Sequence, residues 1–266
     1  MIVTLLTDYG RDDDFVGVCH GVIRRIHPEA QIIDITHGLP RYAVRQGALV
    51  LRNTLPYMPD TAVILAVVDP GVGGPRRPIA LRSAGDRLFV GPDNGLLMHA
   101  ADADGGVVEA FELSNQELWL APLSATFHGR DVFAPVAARL AAGLTIKSVG
   151  AAVETESLDR IDVPEPQRHR DGLTAIAVLV DRFGNVALNL RARDLEKARL
   201  TETVELLTGD ERFLAKVART FASVRASDIV VLIDSYGQAS VAVSNGSAAE
   251  VLGLDAGDEI RLRRLD

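Results

Sequence analysis

Asp69 and Arg76 stand seven positions apart in the stretch VVDPGVGGPRRPIAL. An apolar run ends in the acid, a proline and a glycine-rich turn follow, and Arg76 and Arg77 close the segment. Three kinds of chemistry suit such a loop. It could cradle phosphate, but a P-loop closes on Gly-Lys-Ser/Thr and a dinucleotide loop reads GxGxxG, and this stretch has neither. It could be a turn closed by a structural Asp–Arg salt bridge, the reading the stretch favours by itself. Or the acid and Arg76 could hold a reactant between them.

Other residues could serve the same chemistry. His128, in TFHGRDVFAP, begins a helix-like segment, where an imidazole could bond a reacting water; alone, it reads as a surface or capping histidine. Asp8 and Asp13 lie in TDYGRDDDF, directly after an apolar run, where an acid bonds ribose hydroxyls or a cation, or caps a helix. In VDRFGNVALN, Phe183 could stack on a planar base and Asn185 could read its edge. Equally, Gly184 and Asn185 could do no more than turn a hairpin. GPDNGLL reads as a tight turn leading into a helix. His20, His27, His37, His99 and His169 show no metal-ligand spacing such as HExxH, so no metal is assigned. The single cysteine, Cys19, rules out a disulfide within the chain and argues against a cysteine-based zinc site.

The elements that must position these residues follow from hydrophobic periodicity. IVTLL, QIIDI, AVILAVV and RLFV have strand length and β-branched content. FVGVCHGVIRRI, with the Asp12 to Asp14 run as a cap, YAVRQGALVLRNTL and DVFAPVAARLAAG have helical spacing. Strand, helix and strand in alternation predict an N-terminal α/β domain with a largely parallel sheet, over residues 1–163. In such sheets ligands bind beyond the carboxyl ends of the strands, where Asp8 and Asp69 stand. The polar, proline-bearing VPEPQRHRDG predicts a linker over 164–171. TAIAVLVD, NVALNL, DIVVLID and SVAVS, with short helices at LEKARL and AAEVLGL, predict a smaller β-rich domain over 172–266.

Of 266 residues, 47% are hydrophobic and 24% charged, the balance of an ordered chain with a substantial core. A formal net charge of −8 repels phosphate backbones and makes nucleic acid a poor partner. No apolar run approaches the ~20 residues that span a bilayer. MIVTLLTDYG lacks the basic region of a signal peptide, and a single cysteine fits a reducing compartment. The expectation is a soluble cytoplasmic protein with no membrane partner.

TDYGxxD, VVDPGVGxxR, GPDNGLL, TFHGRDVFAP, DRFGN and NGxAAEVLG occur in this order along nearly the whole chain. Together they resemble the S-adenosyl-L-methionine (SAM) hydroxide adenosyltransferases, the SAM hydrolase branch of the fluorinase/chlorinase superfamily. The resemblance implies hydrolysis of SAM to adenosine and L-methionine, with neither metal nor organic cofactor. It implies a C-terminal β-barrel-like domain, and a homotrimer whose sites lie between the N-domain of one subunit and the C-domain of the next. The family's catalytic Asp-Arg-His set falls on Asp69, Arg76 and His128; Arg77 is the neighbour. Ribose contact is implied for Asp8, with Tyr42 as an aromatic lining that region. Methionine-end contacts are implied for Asp13, Asp181 and Ser235, and adenine contacts for Phe221 and Asn185, with Phe183 beside them. Halogenating relatives carry a tyrosine at the position of Asp69, usually serine or glycine at that of Gly129, and an arginine after the serine, where this chain has Tyr236. The competing readings are a SAM-dependent halogenase, a non-catalytic module that sequesters SAM or adenosine, and a metal-dependent hydrolase built on Asp12 to Asp14.

Overall fold

The computed structural model describes residues 1–265 and separates into two units, Met1–Ile161 and a second from Asp162 onward. The first contains β1 (Ile2–Thr7), α1 (Phe15–Ile26), β2 (Gln31–Thr36), α2 (Val44–Thr54), β3 (Val63–Val67), β4 (Pro78–Ser83), β5 (Leu88–Pro92), α3 (Met98–Ala103), β6 (Val107–Glu112), α4 (Ala134–Ala141) and β7 (Ala152–Val153). Its seven strands run β2-β1-β3-β5-β4-β6-β7. β2, β1, β3 and β5 pair in parallel, and β4, β6 and β7 add an antiparallel flank, so the sheet is mixed.

β3 is buried along its whole length because both faces of the sheet are covered. Side chains alternate across a strand. Val63, Leu65 and Val67 therefore pack with α1 and α4, while Ile64, Ala66 and Val68 pack with α2 and α3. Truncating Leu65 to alanine, in a site 1% exposed, would cost ~2–5 kcal/mol.

Two local expectations are corrected. The Asp12 to Asp14 run does not cap α1 through a side chain: Asp14 is the cap residue, but its backbone is already helical (φ −78°, ψ −9°) and it makes no side-chain cap bond. An N-cap side chain reaches the free amides from an extended backbone, which Asp14 lacks. DVFAPVAARLAAG is not one regular helix either. A π-turn spans Gly129–Phe133, and α4 follows. The Ala134 amide bonds the Gly129 carbonyl five residues back, next to Pro135, which has no N–H to donate.

The second unit contains β8 (Gln167–Arg168), β9 (Gly172–Val180), β10 (Val186–Arg191), α5 (Ala192–Lys197), β11 (Thr203–Thr208), β12 (Glu211–Val217), β13 (Ile229–Ile233), β14 (Gln238–Val243), α6 (Ala248–Leu252) and β15 (Glu259–Arg264). The order β10-β14-β13-β12-β11-β15-β9 is closed by a β9–β10 pairing, which makes a seven-stranded barrel with β8 outside it on β9. Its core is small and branched, with Ala175, Ala177, Val186, Leu188, Val241 and Leu262 among the buried residues. Among the described residues, no helix is long and apolar enough to cross a membrane.

Candidate active site

The parallel register of β1 and β3 sets Thr7 beside Val67. The chain leaves both strands at the same edge of the sheet, so Asp8 and Asp69 emerge together at the carboxyl ends, where such sheets bind ligands. The Asp8 and Asp69 carboxylates then take different tasks.

After Asp69 the chain turns back through the glycine loop. Gly73 has φ +73°, and a Cβ there would overlap the Ala125 carbonyl, so only glycine fits. The turn returns Arg76 to Asp69. Arg76 Nε donates to Asp69 Oδ1 at 2.9 Å, and Nη2 donates to Oδ2. The pair is well buried, with side-chain exposures of 10% for Arg76 and 6% for Asp69. Nη2 also lies 3.0 Å from His128 Nδ1. The Arg76 guanidinium rests over the Phe133 ring, 5.1 Å from its centre, so the π-turn supplies both His128 and the floor beneath Arg76.

This geometry fixes a tautomer. A guanidinium only donates, so His128 Nδ1 must accept and the ring proton sits on Nε2. Burial, and then the charge of Arg76, push the His128 pKa below its ordinary value, so the ring is neutral at pH 7.

Asp69 and His128 line a cleft of about 360 Å³, together with Asp8, Asp13, Tyr42 and Tyr9. Arg76 bridges Asp69 and His128 from behind. Asp8 Oδ2 accepts the Tyr42 amide at 2.8 Å and holds that residue at φ +64°, a left-handed conformation uncommon outside glycine. Tyr9 packs edge-on against Phe127, whose ring also meets Phe15 edge-on. Burial above all raises the Tyr9 phenol well above its ordinary value, so it stays a neutral hydroxyl. A Cβ at Gly129 would overlap that hydroxyl.

GPDNGLL does more than turn the chain. Asn94 Nδ2 donates to the Val68 carbonyl at 2.9 Å, immediately before Asp69. Arg77 Nε donates to the buried Asp93 at 2.8 Å, and Nη1 to Ser157 Oγ at 3.0 Å. Arg77 thus points away from the cleft and pins the far end of the loop that carries Arg76.

The barrel unit has its own cleft of about 350 Å³, lined by Asp181, Asn185, Phe221, Ser235 and Tyr236 among others. Asp181 organises its turn: Oδ1 accepts the Phe183 amide at 2.8 Å and the Asn185 amide at 3.0 Å, and Oδ2 accepts Asn185 Nδ2 at 2.7 Å. The Asn185 amide is thereby oriented. Asp234 repeats the device after β13, accepting the Tyr236 and Gln238 amides at 2.8 and 2.9 Å. Phe183 lies outside this lining and is 77% exposed. Arg219, which sequence reasoning did not single out, lines the cleft. Its flanks, VARTF, carry no motif that would have flagged it.

The chain matches the family models for the SAM hydroxide adenosyltransferase N-terminal domain over residues 3–150 and C-terminal domain over residues 175–261. It is 49% identical to an (R)-S-adenosyl-L-methionine hydrolase of Salinispora tropica over 98% of this chain and 97% of that one. It is 40% identical to an enzyme of the same name from Thermus thermophilus, with 98% of each covered. A fluorinase from an Actinoplanes species is 29% identical over 96% of this chain and 95% of its own. Among solved structures, an uncharacterized conserved protein from Thermotoga maritima aligns with a TM-score of 0.91 at 38% identity, over 99% of this chain and 100% of that one.

Proposed function

The chain belongs to the SAM hydroxide adenosyltransferase family, and on that premise we propose that it hydrolyses SAM to adenosine and L-methionine by attack of water at the ribose C5′. The observation that carries this reading is the Asp69–Arg76–His128 chain, which presents one acceptor and one donor to the same cleft.

The sulfonium of SAM leaves as a neutral thioether, so the leaving group needs no acid. The reaction needs an oriented nucleophile shielded from bulk water. His128 cannot take a proton at Nδ1, which faces Arg76, and Nε2 already carries one; it is therefore a donor that fixes the water oxygen. Arg76 spends Nε and Nη2 on Asp69 and His128 and acts as a positioning residue. Each Asp69 oxygen accepts one bond from Arg76 and keeps a lone pair, so Asp69 is the group that accepts the proton of the attacking water.

Asp8 Oδ1 is available to the ribose hydroxyls while Oδ2 holds Tyr42, whose ring covers that region. Asp13 faces the methionine end. In the barrel cleft, Phe221 stacks on adenine, Asn185 reads its edge, and Asp181 and Ser235 meet the amino acid end. Tyr236 replaces the arginine of halogenating relatives, and Arg219 supplies the cation for the methionine carboxylate. Phe183, exposed beside this cleft, takes the rim. We place each active site between the first unit of one subunit and the barrel unit of the next, in a cytoplasmic homotrimer. No cofactor is assigned to the reaction.

Incubation of SAM in ¹⁸O-water tests the assignment: label is expected in the adenosine 5′-hydroxyl. Unlabelled adenosine, or 5′-halo-5′-deoxyadenosine formed when chloride or fluoride is added, would overturn it. Tight binding of SAM in calorimetry without any product would instead identify a sequestering module.

A further inference from the structure

His20 on α1, Asp34 on β2 and His37 just beyond β2 each offer one ligand atom, and these atoms lie within 4.8 Å of one another. His20 Nε2 is 2.8 Å and His37 Nε2 3.1 Å from the same oxygen, Asp34 Oδ1. The His37 ring is 1% exposed. Its Nδ1 lies 2.8 Å from Thr7 Oγ1, whereas its Nε2, aimed into the cluster, meets only Asp34 Oδ1 and is misaligned for a regular hydrogen bond. A cation bonded by all three side chains would satisfy it.

We infer that His20, Asp34 and His37 form a binding site for a divalent transition-metal ion of the Zn²⁺ and Co²⁺ class. Two imidazole nitrogens and one carboxylate oxygen suit these ions, whereas Mg²⁺ and Ca²⁺ favour all-oxygen shells. Bonds of ~2.0–2.2 Å about a tetrahedral ion hold its ligand atoms ~3.3–3.6 Å apart, so the two nitrogens, 2.8 and 3.1 Å from Asp34 Oδ1, need only open by a few tenths of an ångström. The remaining adjustment falls on His20 and Asp34, whose side chains are 32% and 30% exposed and leave a coordination place open to water. The Thr7 hydroxyl steadies the His37 ring through its other nitrogen, as ligating imidazoles are commonly held.

None of the three residues lines the catalytic cleft. The site is coupled to it mechanically. The His37 carbonyl accepts the Gly10 amide at 2.8 Å in the loop after Asp8, and α1 begins at Phe15 in the cleft wall. An ion would therefore staple α1 to β2 beneath the wall that carries Asp8.

The test uses the untagged full chain, stripped with chelator and titrated with Co²⁺ by visible absorption and with Zn²⁺ by calorimetry. One equivalent per chain is expected, with ligand-field bands for Co²⁺ and no heat from Mg²⁺. His20→Ala, at a partly exposed position, should lose affinity by at least ~10-fold with unchanged circular dichroism. His128→Ala should bind as the parent does. Absence of the Co²⁺ bands, or stoichiometric binding that survives both His20→Ala and Asp34→Asn, would overturn the proposal.

Discussion

Replacing Asp69 by asparagine keeps the shape of the site and removes its charge. The carboxylate accepts from both Nε and Nη2 of Arg76. An amide can keep one of these bonds, but its NH₂ must then face Nη2, donor against donor. One lost charge-assisted hydrogen bond is worth ~1.5–3 kcal/mol. At ~1.36 kcal/mol per decade that alone is ~10–150-fold in rate. Loss of the proton acceptor overlaps with this rather than multiplying it, and removal of a general base typically costs ~10²–10⁴-fold. The expectation for Asp69→Asn is thus a kcat lower by ~10²–10⁴-fold, with KM for SAM within ~5-fold of the parent because the binding contacts lie elsewhere. The pair is buried, at 6% and 10% side-chain exposure, so a guanidinium left unpaired also costs ~3–5 kcal/mol of stability. Turnover, read as adenosine by chromatography, must therefore be measured well below the variant's own melting temperature. A variant that melts earlier yet keeps kcat within ~3-fold would make the pair a structural salt bridge and nothing more.

Other consequences follow from the same site. The His128 pKa lies below its ordinary 6.5, so kcat/KM should hold above that value and fall as pH drops through the depressed pKa, where a proton on Nδ1 would face Arg76. The unfolded chain binds that proton first, so the stability contribution is also lost as pH falls below 6.5, and His128→Asn should flatten that limb in pH-dependent melting. Gly129→Ala drives a methyl into the Tyr9 hydroxyl and should cost ~1–3 kcal/mol in denaturant unfolding, with KM raised as Tyr9 shifts. Arg219→Ala should raise KM for SAM by ~10-fold or more with kcat largely kept, the pattern of a lost ground-state carboxylate contact.

What the sequence made legible was whatever periodicity and motif order encode. The runs IVTLL, QIIDI, AVILAVV and RLFV are the four strands that pair in parallel; β1, β3 and β5 stand out because burial makes them almost continuously apolar, while β2, at the sheet edge, shows through its isoleucines alone. β6, β11, β12 and β15 escaped notice for the opposite reason. One face of each meets solvent, so EIRLRR and ERFLAKV read as charged segments although Ile260, Leu262 and Ala215 are buried. In the site, Asp69, Arg76 and His128 were named from motifs. Their division of labour was not, because it depends on which imidazole nitrogen faces the guanidinium. Asn94 and Asp93 looked like turn formers because their partners, Val68 and Arg77, are distant in sequence. The cluster of His20, Asp34 and His37 follows no metal-ligand spacing in the sequence, since α1 brings His20 to Asp34 from 14 positions away.

The preference for water over halide follows from the hydrogen-bonding character of the cleft wall. A halide ion has no proton to give and can only accept. Asp69 presents lone pairs to the cleft, with its positive partner Arg76 behind it, so the negative end of that pair faces the nucleophile's place. His128 presents an N–H. A wall with one acceptor and one donor matches water, which gives a proton to Asp69 and accepts one from His128. A halide there would satisfy His128 and leave an anion against the Asp69 carboxylate; two unit charges 4 Å apart repel by ~4 kcal/mol at an effective dielectric of 20. Arg76 at close range offsets part of that repulsion but cannot supply the missing proton. A tyrosine at position 69 would reverse the logic by placing a neutral donor where the carboxylate now stands, and it would leave Arg76 without its bidentate partner. On the proposed reading the acid at the end of β3 selects the nucleophile, and the glycine loop that returns Arg76 keeps that acid oriented.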